Sequence, residues 1–397
     1  MRRGLVLLLL VGFAGLTVAG AAVGNTVSAG GAAFVDVAQV QGNADFSDEE
    51  PGGTISPAAT SIPRWSGAFQ ADGVTYPFTM VGTDPGAAPK STQVKVAIVP
   101  IDLRFRAGLG GVLRGSSRVQ SILASPIFKA SDFSVLRNAY VPGFGSLGDQ
   151  AGPPVVTQYG DAVQKAMFWQ TGGSNAAYHV TLAQPTVYPT QLVDVPAPQG
   201  FDLVGAISKK HYALVDGIWV SSRVHNLLVS LKIPADTLAV FVTDSGFLYL
   251  GSPSVCCVIG YHGATTSLQG NGKQQVSTYL YASYSDQGVF ESPKLADVHA
   301  LSHEVSEWYA DPFVNNDVRP WSSPTAPFYG CVDELETGDP VVGHGFDASA
   351  VGSSTVYHPE DEALFSWFAR EQPSRAFAGR YTFMQNPWFT SVAQGCS

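Results

Sequence analysis

Charge is scarce in this sequence. Lys, Arg, Asp and Glu make up 14% of its 397 residues, against roughly a quarter in ordinary globular chains. The shortage is worst on the basic side, with 22 Lys and Arg against 32 Asp and Glu and a net charge of −10. No cluster of five or more basic residues occurs. Nucleic acid and anionic membrane surfaces are therefore excluded as expected partners. After the first two dozen residues there is no apolar run of the roughly 20 residues that cross a bilayer. No internal repeat is evident.

Two common catalytic signatures each lack one residue. Gly108-x-Gly110-Gly111 follows a strand-like run, but Leu113 stands where the dinucleotide fingerprint needs its third glycine. Ser146 has Phe144 two residues before it, so there is no Gly-x-Ser-x-Gly elbow.

The chain opens with Met1-Arg2-Arg3, then runs apolar from Gly4 to about Val23, with a small-residue Ala19-Gly20-Ala21 exit. That is the layout of a secretory signal peptide, taken as residues 1–21, with Val27-Ser28-Ala29 as a second possible cleavage site. An uncleaved anchor is the alternative. Residues 22–90 are rich in Gly, Ala, Ser, Pro and Thr, with an acidic patch from Asp45 to Glu50. They read as a leader or linker, with a strand or two near Phe78 to Val81. Residues 91–397 read as one packed domain.

Cysteines are few but even in number: Cys256, Cys257, Cys331 and Cys396. In an exported chain this implies two disulfides. Adjacent cysteines rarely bridge each other. Cys256 and Cys257 are thus expected to reach Cys331 and Cys396, in either order.

Short helices are expected at Ser116 to Leu123, Tyr159 to Trp169 and Val215 to Leu231. Strands are expected at Val94 to Pro100, Tyr178 to Leu182, Thr186 to Val195, Leu238 to Val242, Val255 to Tyr261 and Gln275 to Tyr284. A further helix should run from about Pro293 to Asp311, stopped by Pro312.

That last helix carries the strongest chemical signal, His303-Glu304-x-x-Glu307. Residues four apart share a helix face, so His303 and Glu307 can bind one metal ion from successive turns. Glu304 is then placed as general base. This is the logic of the His-Glu-x-x-His zinc helix with a carboxylate in place of the second histidine. His299 lies a turn earlier, but it and Glu307 are about 12 Å apart along the axis. A catalytic zinc needs three protein ligands and an open position. The run Cys331-Val332-Asp333-Glu334-Leu335-Glu336-Thr337-Gly338-Asp339 can supply the third, with Glu336 ranked first, Asp339 second and His344 third.

Blander readings exist for each. Glu304 and Glu307 could simply form ion pairs, and Asp333 to Asp339 could be a solvated acidic turn or a calcium site. His262 in Gly260-Tyr261-His262-Gly263 reads as a strand-end residue near the site, more core than substrate contact. His179, His211 and His225 read as structural. Trp308, Trp321, Trp367 and Phe368 read as core.

The motifs Ser302-His303-Glu304-Val305-Ser306-Glu307-Trp308 with Asp311-Pro312-Phe313, and Leu335-Glu336-Thr337-Gly338-Asp339-Pro340, resemble an uncharacterised family of secreted bacterial proteins. Gln158 to Ala162, Cys257 to Gly263, Ala363 to Phe368 and Cys396 are similar to that family as well. More distantly the chain resembles the plant exordium, or phosphate-induced, secreted proteins. The resemblance implies a zincin-like arrangement over residues 91–397. The expected fold is α+β, a mixed and mostly antiparallel sheet with the metal-site helix beneath it. The expected function is a secreted zinc-dependent hydrolase, with a peptide or protein as substrate. A non-catalytic secreted or cell-surface binding protein with a structural metal site is the rival. A glycan hydrolase using paired carboxylates among Glu304, Glu307, Glu336 and Asp339 is a third.

Overall fold

The computed structural model describes residues 61–396, except 88–89, 135–139, 142–144, 147–151, 206–207, 269–273 and 291. The signal-peptide reading and most of the leader lie outside the described residues.

The fold is α+β. Five α-helices occur among the described residues: α1 (Val119–Ala124), α2 (Tyr159–Met167), α3 (Gly217–Ser230), α4 (His299–Ala310) and α5 (Phe365–Phe368). The strands that position them are a hairpin of β1 (Arg64–Ala71) and β2 (Val74–Val81), then β3 (Ser91–Phe105), β4 (Thr237–Asp244), β5 (Gly260–Leu268) and β6 (Gln274–Tyr284). Across the sheets antiparallel pairings predominate. The parallel ones concentrate in the largest sheet, where β3, β4 and β6 lie side by side in one direction. β5 closes that edge antiparallel to β6.

The sequence of these strands explains why they sit centrally. Side chains alternate faces along a strand, and here both faces are apolar. Val94, Val96 and Ile98 of β3 join one core, while Ala97, Val99 and Ile101 join another. β4 divides likewise, Leu238, Val240 and Val242 against Ala239 and Phe241. A sheet buried on both faces reads as continuous apolar runs rather than polar alternation. The second face is covered by α3 through Val220, Val224 and Leu228. The first is covered by α2 and α4 through Val163, Ala166, Val305 and Trp308. Burying each such aliphatic side chain contributes about 2 kcal/mol.

The β1–β2 hairpin packs into the same core as α4, through Phe78, Met80 and Val81. Asn316 ties it there. Its side chain accepts from Thr79 N at 2.8 Å and donates to Thr79 O at 2.9 Å and to Ala310 O at 2.7 Å. Packed structure thus begins upstream of residue 91.

Two expectations need correction. The site helix starts at His299, not near Pro293. Asp297 has φ 46°, outside right-handed helix space, and its Oδ1 accepts from Val298 N at 2.6 Å and His358 N at 2.9 Å. The disulfides also pair differently: Cys256 with Cys257, and Cys331 with Cys396. Strand pairing supplies the reason for the second. Trp321 pairs with Val332 on one side and Gly395 on the other, which brings the residues beside them to a Cα separation of 5.7 Å. Among the described residues, no helix is long and apolar enough to cross a membrane.

Candidate metal centre

All twelve residues of α4 are buried. Its polar side chains therefore need partners inside the protein. His299, Ser302, His303, Ser306 and Glu307 follow the i, i+3, i+4 spacing and form one polar stripe. Three chain segments meet that stripe and the adjoining Glu304: the β5 start, residues 336–339 and residues 343–362.

His303 is oriented from behind. Its Nδ1 lies 2.5 Å from Glu360 Oε2, which leaves Nε2 pointing forward. Nε2 is 3.0 Å from Glu307 Oε2 and 3.5 Å from Asp339 Oδ1. Glu307 is held in the same fashion: its Oε1 accepts from Gly338 N at 3.0 Å and Asp339 N at 3.2 Å. Its other oxygen faces the histidines.

Glu304 points to the opposite side of the stripe, toward β5. Its Oε2 lies 3.4 Å from His262 Nδ1. His262 Nδ1 is also 3.6 Å from Glu307 Oε2, and His262 Nε2 is 3.8 Å from Glu336 Oε2. The ring is anchored by a 2.9 Å hydrogen bond from Nε2 to the Asp311 carbonyl.

Close approach is possible only because two positions lack a side chain. A Cβ on Gly260 would fall 2.4 Å from Glu304 Oε1, and one on Gly338 would fall 2.4 Å from His303 Nδ1.

The electrostatics are unbalanced. Glu304, Glu307, Glu336, Asp339 and Glu360 are buried beside only three imidazoles, His262, His299 and His303. Burial raises Glu304 to about 7 despite His262 and His303. Burial and the Glu307 charge raise Asp339 to about 6. Burial, with Glu307, Asp311 and Asp339, pushes Glu336 well above the carboxylate range. Burial opposes ionisation of Glu360 too, but His299 and His303 outweigh it and bring Glu360 to about 2. His303 is raised because Glu307 and Glu360 overcome the burial penalty.

Seven buried side-chain atoms of these acids and imidazoles make no hydrogen bond: His262 Nδ1, His299 Nδ1 and Nε2, His303 Nε2, Glu304 Oε2, Glu336 Oε2 and Asp339 Oδ1. Buried polar atoms are normally satisfied, and a set of exceptions in one place is a site that an ion or water would complete. The donor set fits one. Ligand atoms of His303, Glu304 and Glu307 all lie within 4.8 Å of one another, as do those of His262, Glu307 and Glu336. These buried His and Glu groups could hold a metal ion.

The sequence-expected residues fare unevenly. His303, Glu304, Glu307, Glu336 and Asp339 do converge. Asp333 is exposed while Glu336 and Asp339 are buried, so this segment is not a solvated turn throughout. His344 sits beside the Glu360 and His299 end of the cluster but pairs its Nδ1 with Asn386 Nδ2 at 2.8 Å, and it is in neither ligand group. His299 contacts Glu360 at 3.0 Å rather than the other ligands. Two contributors differ from expectation. His262, expected as a strand-end core residue near the site, faces the carboxylates. Glu360 was not singled out, although Glu360-Asp361-Glu362 is a run of three acids in a chain poor in charge, a usable signal. His179, His211 and His225 are engaged with Asp161, Asp202 and Tyr279, away from the cluster.

No protein-family model, curated protein or solved structure matches this chain.

Proposed function

We propose that this chain is an exported, zinc-dependent hydrolase with a zincin-like site, acting on peptide bonds. The reading rests on one observation: His303, Glu304 and Glu307 bring buried ligand atoms within 4.8 Å of one another, with no hydrogen bond to His303 Nε2 or Glu304 Oε2. Imidazole and carboxylate donors suit zinc. The motif resemblance to secreted bacterial proteins supports the same direction, and the arginine-led apolar N-terminus supports export.

The ligands of this reading are His303, Glu307 and Asp339, the carboxylate nearest His303 Nε2 after Glu307. Zinc held there would supply a Lewis acid for the scissile carbonyl and lower the pKa of a bound water. Glu304, buried beside these ligands, is the carboxylate placed to serve as general base. Glu360 fixes the His303 ring and its tautomer. Gly338 and Asp339 N–H groups fix the Glu307 carboxylate.

A second reading has its own observation. His303 is 4% exposed and Glu307 fully buried, which suits a structural metal in a non-catalytic binding protein. One experiment separates them. Purified full-length protein should carry at least one zinc per chain, removable by a chelator, and His303→Ala should lose the ion held at His303. Glu304→Gln should retain zinc and lose peptide hydrolysis by about 10²-fold or more, whereas Glu307→Gln should lose zinc. Protein that neither carries nor takes up zinc refutes both readings. Zinc-loaded protein that cleaves no peptide library leaves the structural reading.

A further inference from the structure

A single ion on His303, Glu307 and Asp339, with Glu304 as base, uses only part of the cluster. It leaves His262 Nδ1 and Glu336 Oε2 without a partner, each on a residue only 3% exposed. His262 Nε2 donates to the Asp311 carbonyl at 2.9 Å. A neutral ring so anchored turns a bare Nδ1 toward the carboxylates, ready to bind a cation. Glu307 Oε2 lies 3.6 Å from that Nδ1, and Glu336 Oε2 lies 3.8 Å from the Nε2 of the same ring. His262, Glu307 and Glu336 thus form a ligand group of their own, and its shared member with the first group is Glu307.

We infer that the cluster is a two-metal centre, in which Glu307 bridges one divalent cation on His303 and Asp339 and a second on His262 and Glu336. The inference rests on the metal reading above and deepens it. Paired ions suit a peptide hydrolase, since two-metal sites also serve aminopeptidases.

The test is zinc stoichiometry of the full chain, stripped with a chelator and titrated with zinc alone, read by calorimetry and by elemental analysis after desalting. Wild type should take two equivalents. His262→Ala and Glu336→Gln should each fall to one, retaining the His303 ion. Asp339→Asn should lose the other. One equivalent in wild type overturns the two-metal inference and leaves the zinc hydrolase standing. Zero equivalents overturn both. Two equivalents retained in both His262→Ala and Glu336→Gln also overturn the ligand assignment. Should a variant fail to fold by circular dichroism, the wild-type count still decides.

Discussion

His303 Nδ1 and Glu360 Oε2 lie 2.5 Å apart across 57 residues of sequence, both inside the protein. The bond turns the ring so that Nε2 faces Glu307 and Asp339. Glu360 is itself held by Gly343 N at 2.5 Å and by Ser302 Oγ, which accepts from Glu360 N at 2.8 Å. A carboxylate behind a ligating histidine sets its tautomer and raises its basicity.

Glu360→Gln should therefore keep the metal stoichiometry but weaken zinc binding by roughly 10- to 100-fold, the usual effect of losing such a partner. Competition against a chromophoric chelator measures it. Wild-type affinity in the variant would show that Glu360 serves only packing.

Gly338→Ala should damage the site from the other side. The added methyl meets the His303 ring at 2.4 Å, and displacing a packed ring costs about 1–3 kcal/mol. Both thermal stability and zinc affinity should drop. Gly73→Ala is a useful control, since its Cβ meets nothing within 4 Å, although its φ of 78° adds backbone strain of its own. Zinc affinity should be unchanged in that control, and an equal loss in both variants would argue against a local effect at His303.

The Cys331–Cys396 bridge should matter to stability more than to metal. It closes a loop with a sequence separation of 65, for which chain-entropy models give roughly 4 kcal/mol. Replacing both by Ser should lower the denaturation midpoint. Zinc binding should persist, because residues 336–339 are held by other means: Gly338 N and Asp339 N bond to Glu307, and Ala363 N to Thr337 O. Mass mapping of a non-reduced digest should recover Cys331–Cys396 and Cys256–Cys257. A Cys331–Cys256 peptide would contradict the pairing.

Much of the site was legible because its largest part is local. The four-residue spacing of His303 and Glu307 is set by helix geometry, and a helix there follows from apolar spacing and Pro312. The acidic run after Cys331 was visible as a ligand source, but the expected bridge from Cys331 to Cys256 or Cys257, which would hold it beside the helix, does not form. Backbone N–H groups donating to Glu307 do that work instead. Such bonds leave no mark in side-chain identity.

The part His262 takes among the carboxylates, and the place of Glu360, were out of reach for a different reason. His262 is 41 residues before His303 and Glu360 is 57 after it, and nothing periodic joins either to the helix. The antiparallel pairing of β5 with β6 sets the first in place. The return of the chain through residues 343–362 sets the second.

By itself, then, the sequence determined the α+β class, the two-faced apolar strands and the ligand spacing on α4, because each depends on contacts within a few residues. Tertiary structure decided which carboxylates converge, which atoms of each stay unpaired, and which cysteines meet. Those outcomes depend on strand order and on where distant segments cross α4, and no local preference encodes either.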